Sequence, residues 1–407
     1  MRNPQLSAAG RGRRALLAGL AGTVLPAALP GPAQAAAVAS DQAQWLEFRQ
    51  RFITAEGRVV DTGNRNISHS EGQGYGLLLA EAFDDRPSFD KLLRWTRATL
   101  LRPEGLHAWR FRPGGVGVDD HNNATDGDLY IGWALLRAAQ RWDHAAYAQM
   151  GLALGQAIGR RLVLPVQGRT LLLPGGHGFA DGNKVLINPS YYAFPALKAF
   201  GQASGDAVWQ RLADDGVKLL REARFGRWGL PADWVELPRG ESAGPVMAQG
   251  RPPRFSYDAV RVPLHLAWAG LTEEPALEAA TRFWAATAGA APPAWTDLQT
   301  GQLGGEIASS GMMAIATVST ESRRGRANAQ ALPKVGQARD YYAAALTLLA
   351  RLAANEAPPP GMPVLPLAPR PPAVEASAEK QPIVAKPQAV SFGQGLVRGA
   401  ASLLGAR

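Results

Sequence analysis

What most constrains this chain is how its apolar residues recur. Trp45, Phe48 and Phe52 sit three and four residues apart, the spacing that puts side chains on one face of a helix. The same pattern returns along the chain and predicts eleven helices, over 41–54, 71–83, 87–101, 125–142, 144–164, 189–200, 206–223, 256–269, 275–288, 309–318 and 337–355. Strand-like alternation is almost absent. Short strands are expected only around 171–173 and 185–187. Helices in successive pairs bury their apolar stripes against one another, which predicts an all-α fold, a closed ring of helical hairpins. Two long connections, 104–123 and 224–255, read as loops and carry Trp109, Trp228 and Trp234. Structureless loops of that length usually serve a function.

The two ends are of different composition. Residues 1–35 read as an export signal. Arg11-Gly12-Arg13-Arg14 precedes a weakly apolar stretch, and Ala33-Gln34-Ala35 fits a cleavage site. The Arg13-Arg14 pair points to twin-arginine export, with the Sec route open. From Pro358-Pro359-Pro360 a Pro-rich linker runs to about Val390, then a short tail to Arg407. The expected division is therefore 1–35 signal, 36–356 folded domain, 357–407 linker and tail. The chain has no cysteine, which excludes disulfides, thiolate metal sites and a cysteine nucleophile. Removing the leader's four arginines leaves 39 basic against 34 acidic side chains, too mild an excess to point to nucleic acid. No uninterrupted apolar run is long enough to cross a membrane.

Four stretches carry chemistry. Ser70-Glu71-Gly72-Gln73-Gly74-Tyr75-Gly76 sets a carboxylate at a helix start among glycines, with Ser70 as an expected cap. Asn122-Asn123-Ala124-Thr125-Asp126-Gly127-Asp128 opens the next strong helix with two acids. Asn188-Pro189-Ser190-Tyr191-Tyr192 opens another. Phe255-Ser256-Tyr257-Asp258-Ala259-Val260-Arg261-Val262-Pro263 puts Asp258 and Arg261 one turn apart. Taken singly, each acid is also what a helix N-terminus favours. In a ring of hairpins, however, these starts gather at one face, around one groove. Carboxylates with aromatic platforms are the equipment of glycoside hydrolysis.

These motifs resemble glycoside hydrolase family 8, and within it the endo-β-1,4-glucanases of bacterial cellulose synthesis. The resemblance rests on the Glu71 motif, on Ala124-Thr125-Asp126-Gly127-Asp128 continuing to Trp142, and on Tyr257-Asp258-Ala259-Val260-Arg261-Val262-Pro263. It covers about residues 40–355. One departure is Gly132, where the family usually has alanine, at a helix-propensity cost of about 1 kcal/mol. The resemblance implies an (α/α)6 barrel with an open cleft and an inverting mechanism. Glu71 would be the general acid and Asp258 the general base. Asp126 would hold the sugar before the scissile bond, and Tyr191 and Arg261 would orient water and base. Trp109 is an expected sugar platform, from its loop position alone. The implied substrate is a β-1,4-glucan, with cellulose ahead of xylan, chitosan and mixed-linkage glucan. The implied partner is the cellulose synthase complex, and the implied location the periplasm or the exterior. No cofactor or metal is expected, since the six histidines are scattered. Arg261 is expected to favour the ionised form of Asp258.

Other readings fit less well. Gly240-Glu241-Ser242-Ala243-Gly244 matches a serine-hydrolase elbow, but prolines flank it where a strand and a helix are required. The alternating glycines at 72–76 lack the strand of a dinucleotide loop. Two rival classes remain: a polysaccharide lyase, and a non-catalytic glycan-binding factor of an export complex. A lyase would leave an unsaturated product. A binding factor would tolerate loss of Glu71.

Overall fold

The computed structural model of the chain describes residues 32–239, 244–286 and 292–358. The described helices are α1 (Pro32–Phe52), α2 (Ser70–Ala82), α3 (Arg86–Thr99), α4 (Thr125–Arg141), α5 (Ala145–Arg161), α6 (Phe194–Ser204), α7 (Val208–Glu222), α8 (Arg261–Trp268), α9 (Pro275–Ala286), α10 (Ser310–Arg323) and α11 (Tyr341–Glu356). Helices α2, α4, α6, α8, α10 and α11 pack each on the next, and α11 returns to α2. That closes an inner ring of six. Outside it, α3, α5, α7 and α9 each pair with an inner neighbour, and α1 lies on α11. The sixth outer place is filled by residues 324–340, which make two 3-10 turns, Ala329–Ala331 and Val335–Gln337, against α11. Gly325, Pro333 and Gly336 in that segment discourage a regular helix. The fold is an (α/α)6 barrel.

The inner helices are apolar nearly all round, as a buried helix must be. Leu77, Leu78, Leu79, Tyr130, Leu264, Leu346 and Leu349 are completely inaccessible. Two glycines set the closest approach. A Cβ on Gly74 would lie 2.6 Å from Cβ of Tyr130, and one on Gly127 would meet the Ser70 hydroxyl and, at 2.7 Å, the backbone nitrogen of Glu71. The N-terminal turns of α2 and α4 therefore touch backbone to backbone, which brings Glu71 beside Asp126. The departure at Gly132 is a packing requirement. A side chain there would strike the Phe200 ring, which stacks on Trp209 at 4.6 Å between centroids.

Several boundaries differ from expectation, each for a local reason. Helix α1 begins nine residues before Asp41 and runs through the expected cleavage site. The segment 189–200 breaks into a 3-10 turn, Pro189–Tyr191, and α6, because Pro195 has no N–H to bond back to Tyr191 and is tolerated only in the first turn of a helix. Helix α8 starts at Arg261 rather than Ser256, with Pro263 in its first turn. Helix α11 starts after Asp340, whose carboxylate accepts the Ala343 N–H at 2.8 Å. His69, not Ser70, caps α2 by accepting the Gly72 N–H on Nδ1 at 2.9 Å.

The expectation of almost no strand is corrected more broadly. Among the described residues ten short strands form four small antiparallel sheets. β1 (Ser68–His69), β2 (Ala108–Arg112) and β3 (Gly117–Asn123) lie in that order, so the 104–123 connection is a hairpin ending against the start of α2. β4 (Val163–Val166) and β5 (Arg169–Leu172) join through Gln167 and Gly168, both at positive φ, as a two-residue hairpin turn requires. β6 (Lys184–Ile187), β7 (Val235–Pro238) and β8 (Val246–Met247) form the third sheet, and β9 (Arg254–Phe255) pairs with β10 (Thr296–Asp297). Strands this short carry too few residues for alternation to be read. The leader before Pro32, the elbow-like motif but for Gly244, and the linker and tail beyond Pro358 lie outside the described residues.

Candidate active site

The starts of α2, α4, α8 and α11 and the turn Pro189–Tyr191 meet at one end of the ring. At their centre is Arg261, the first residue of α8, with 2% of its side chain exposed. Its Nη1 donates to Oε2 of Glu71, to Oδ2 of Asp126 at 2.8 Å and to the Tyr75 hydroxyl at 3.0 Å. Its Nη2 donates to Oδ1 of Asp258 at 2.7 Å. One guanidinium thus serves three carboxylates that lie far apart in sequence. Its face also sits over the Tyr191 ring, 5.6 Å from the centroid. Glu71 and Asp258 are held on different nitrogens, so the guanidinium spaces them apart.

One cation cannot neutralise three acids, and burial raises the cost of each negative charge. Burial, and then the charge of Glu71, push the Asp126 carboxyl up to about 7 against the pull of Arg261. Asp258 also moves upward. Crowding by its surroundings is the main cause and Asp126 adds to it, while Arg261 and Asn188 oppose. The expected lowering by Arg261 is therefore corrected: desolvation outweighs the ion pair. Asp258 still keeps 29% of its side chain exposed. Burial also raises the Tyr75 and Tyr191 hydroxyls well above their ordinary range, so both are neutral donors. Beneath the cluster His265 is pulled down to about 3 by burial and by Arg261, and meets the Tyr130 hydroxyl at 2.7 Å. His69 moves upward. Burial alone would lower it, but Asp61 and Glu71 outweigh that.

Five of the six sequence-predicted residues are brought together: Glu71, Asp126, Tyr191, Asp258 and Arg261. Trp109 stands apart on β2. Its indole N–H donates to Asp120 at 2.8 Å, it is 9% exposed, and Arg110 covers its ring at 4.4 Å. The other loop tryptophans are capped in the same way. Arg227 lies over Trp228, Arg251 over Trp234 and Arg254 over Trp295, at 5.0, 4.7 and 3.8 Å. Asp128, the second acid of its motif, is structural. It is fully buried and accepts from the His107 backbone at 3.0 Å, pairs with the His107 ring at 2.8 Å, and accepts from Asn123 at 2.9 Å.

Sequence reasoning missed Tyr75, Tyr342 and Asp233. Tyr75 was findable, since it lies one turn after Glu71 on the same helix face. Tyr342, whose hydroxyl donates to the backbone oxygen of Tyr257, follows a helix cap that could have been read. Asp233, on an irregular stretch, carried no signal. Among the described residues no group of histidines and carboxylates has the arrangement of a metal site.

Comparison with known proteins bears on this arrangement. The profile of glycosyl hydrolases family 8 matches residues 23–356. A probable endoglucanase of Novacetimonas hansenii is 41% identical over 315 residues, which is 77% of this chain and 90% of the relative. An endoglucanase of Cellulomonas uda is 39% identical over 279 residues, 67% of this chain and 76% of the relative. Among solved structures, an endo-β-1,4-glucanase from Acetobacter xylinum aligns with a TM-score of 0.74 at 40% identity, over 79% of this chain and 99% of that one.

Proposed function

The chain belongs to glycosyl hydrolase family 8, and on that premise we propose that it cuts β-1,4-glucosidic bonds within glucan chains by single displacement with inversion. Glu71 is the acid and Asp258 the base. The observation that carries this reading is the convergence of Glu71 and Asp126, from the starts of α2 and α4, and Asp258, from the turn before α8, on Arg261. In the reaction Asp258 takes a proton from a water that attacks the anomeric carbon. Glu71 gives its proton to the glycosidic oxygen as the C–O bond breaks. The two carboxyl groups must leave room for that water, about 6.5–9.5 Å in inverting enzymes. Asp126 accepts a hydroxyl of the sugar before the scissile bond, Tyr191 orients the water, and Arg261 holds the acids in register.

Trp109 is a platform in this reading only if Arg110 swings aside or the sugar takes the other face. The substrate is cellulose or a related β-glucan, and the setting is bacterial cellulose synthesis beside the synthase complex. The protein acts outside the cytoplasm after loss of residues 1–35. Two features fit this. No described helix is long and apolar enough to cross a membrane. The anchor of α1 also survives such a cut: Asp41 accepts from Arg351 Nε at 2.8 Å and from Asn355 at 3.0 Å. Residues 36–356 are then the catalytic domain. The test is hydrolysis of soluble β-1,4-glucan by the purified protein. Viscosity should fall faster than reducing ends appear, and proton NMR should show the α-anomer first. A β-anomer first, or release of only short sugars from chain ends, would overturn the reading.

A further inference from the structure

Asp233 precedes β7 and belongs to none of the motifs read in the sequence. All the hydrogen bonds of its carboxylate go to the turn that carries Asp258. Oδ1 accepts the Ser256 N–H at 3.0 Å and the Ala259 N–H at 2.8 Å, and the Ser256 hydroxyl donates to Oδ2. Its own N–H donates to the Arg254 backbone oxygen at 2.7 Å, so both sides of the residue are tied to the same segment. The turn at 256–259 leads into α8 through its carbonyls, which accept from Val260, Arg261 and Val262 at 2.9, 3.0 and 3.0 Å, so Asp233 caps the N–H groups at its other side. Without Asp233 its Ser256 and Ala259 N–H groups would lose their partner in a crowded place.

We propose that Asp233 is the positioning residue of the general base: it clamps the turn at 256–259 so that Asp258 points at the attacking water. The inference rests on the assignment of Asp258 as base. Burial and the charge of Asp258 push the Asp233 carboxyl up to about 7, so the two acids feel each other. The other groups facing Asp258 are Arg261, Arg251, Asp126, Tyr191 and Tyr342. They are the same in every variant below.

Two substitutions test the clamp. Asp233→Asn keeps an oxygen for both backbone N–H groups, so kcat stays within about threefold of wild type. Asp233→Ala removes the clamp, and kcat falls about 100-fold with KM little changed, the usual cost of a misplaced group. A loss of kcat in Asp233→Asn as large as in Asp233→Ala, or a folded Asp233→Ala with wild-type kcat, overturns the proposal. If Asp233→Ala does not fold, Asp233→Ser, too short to reach both N–H groups, takes its place with the same expected loss. Asp258→Asn is measured alongside. If that variant keeps its activity, the base assignment fails. If it is inactive while both Asp233 variants behave as wild type, only the present inference fails.

Discussion

The two ends of the same four helices are built to opposite rules. At their N-terminal end, α2, α4, α8 and α11 supply Glu71, Asp126, Arg261 and Tyr342, with Asp258 just before α8. At their C-terminal end they supply Glu81, Arg137, Arg141, Trp268 and Glu356. There Glu81 accepts from Arg141 Nε at 2.7 Å and from Arg137 Nε, while Arg137 also donates to Glu356 at 2.7 and 2.8 Å. Trp268 donates to the same Glu356 at 3.1 Å. Two cations meet two acids, and Arg137 is held in its charged form by Glu356 and Glu81 in spite of its burial. At the other end one cation meets three acids. Glu71 and Glu81 are ten residues apart on α2, about 15 Å of helix. Over that length the electrostatics pass from balanced to frustrated. A balanced buried network holds helices together. An unbalanced one keeps carboxyls near the protonation states that acid–base chemistry needs, at a cost in stability.

The contrast can be broken from either end. The largest effect is expected at the site: Glu71→Gln and Asp258→Asn should each lower kcat about 1000-fold or more. Glucan binding, measured on the same variants by calorimetry, should persist. Near-normal turnover would show that the acid surplus is not catalytic. At the far end, Glu81→Ala takes the carboxylate from Arg141 and leaves Arg137 on Glu356 alone, and should cost about 1–3 kcal/mol of stability, read by chemical denaturation. Its kcat at 25 °C should stay within about twofold of wild type.

A subtler effect is expected from Asp126→Asn. The Asp126 carboxyl titrates at about 7 in the fold and near 4 when unfolded. Between those values the folded state binds more protons than the unfolded, so stability declines as pH rises through that window. Replacing the acid by its neutral isostere should therefore raise the melting temperature by about 2–4 °C at pH 8 and leave it unchanged at pH 4. A variant that melts lower than wild type at both values would mean that the ion pair with Arg261 outweighs burial. The smallest effect concerns the C-terminus. Ending the chain after Ala357 should alter neither activity nor melting, whereas ending it after Asn355 removes Glu356 and should lower the melting temperature by a few degrees.

How much could be read without the structure depended on the range of the interaction concerned. Helices α2, α3, α4, α5 and α7 were legible to within a few residues, because apolar spacing and caps act over one or two turns. The hairpin at 108–123 was missed because Arg110, Arg112, Asp119 and Asp120 leave no apolar alternation to see. It is held by pairing with β1 and by the ion pair of Arg110 with Asp119 at 2.9 Å. The start of α8 was misplaced because Asp233, 23 residues before Ser256, pulls residues 256–259 into a turn.

By itself the sequence determined which acids stand at helix starts, and that these helices come in pairs able to close a ring. Those are matters of residue type and short spacing, which the chain carries locally. Tertiary structure alone decided that Glu71 and Asp126 share a cation 190 and 135 residues away. It also decided that Arg261 fails to hold Asp258 low, because desolvation is a property of everything packed around a group and cannot be read from its sequence neighbours.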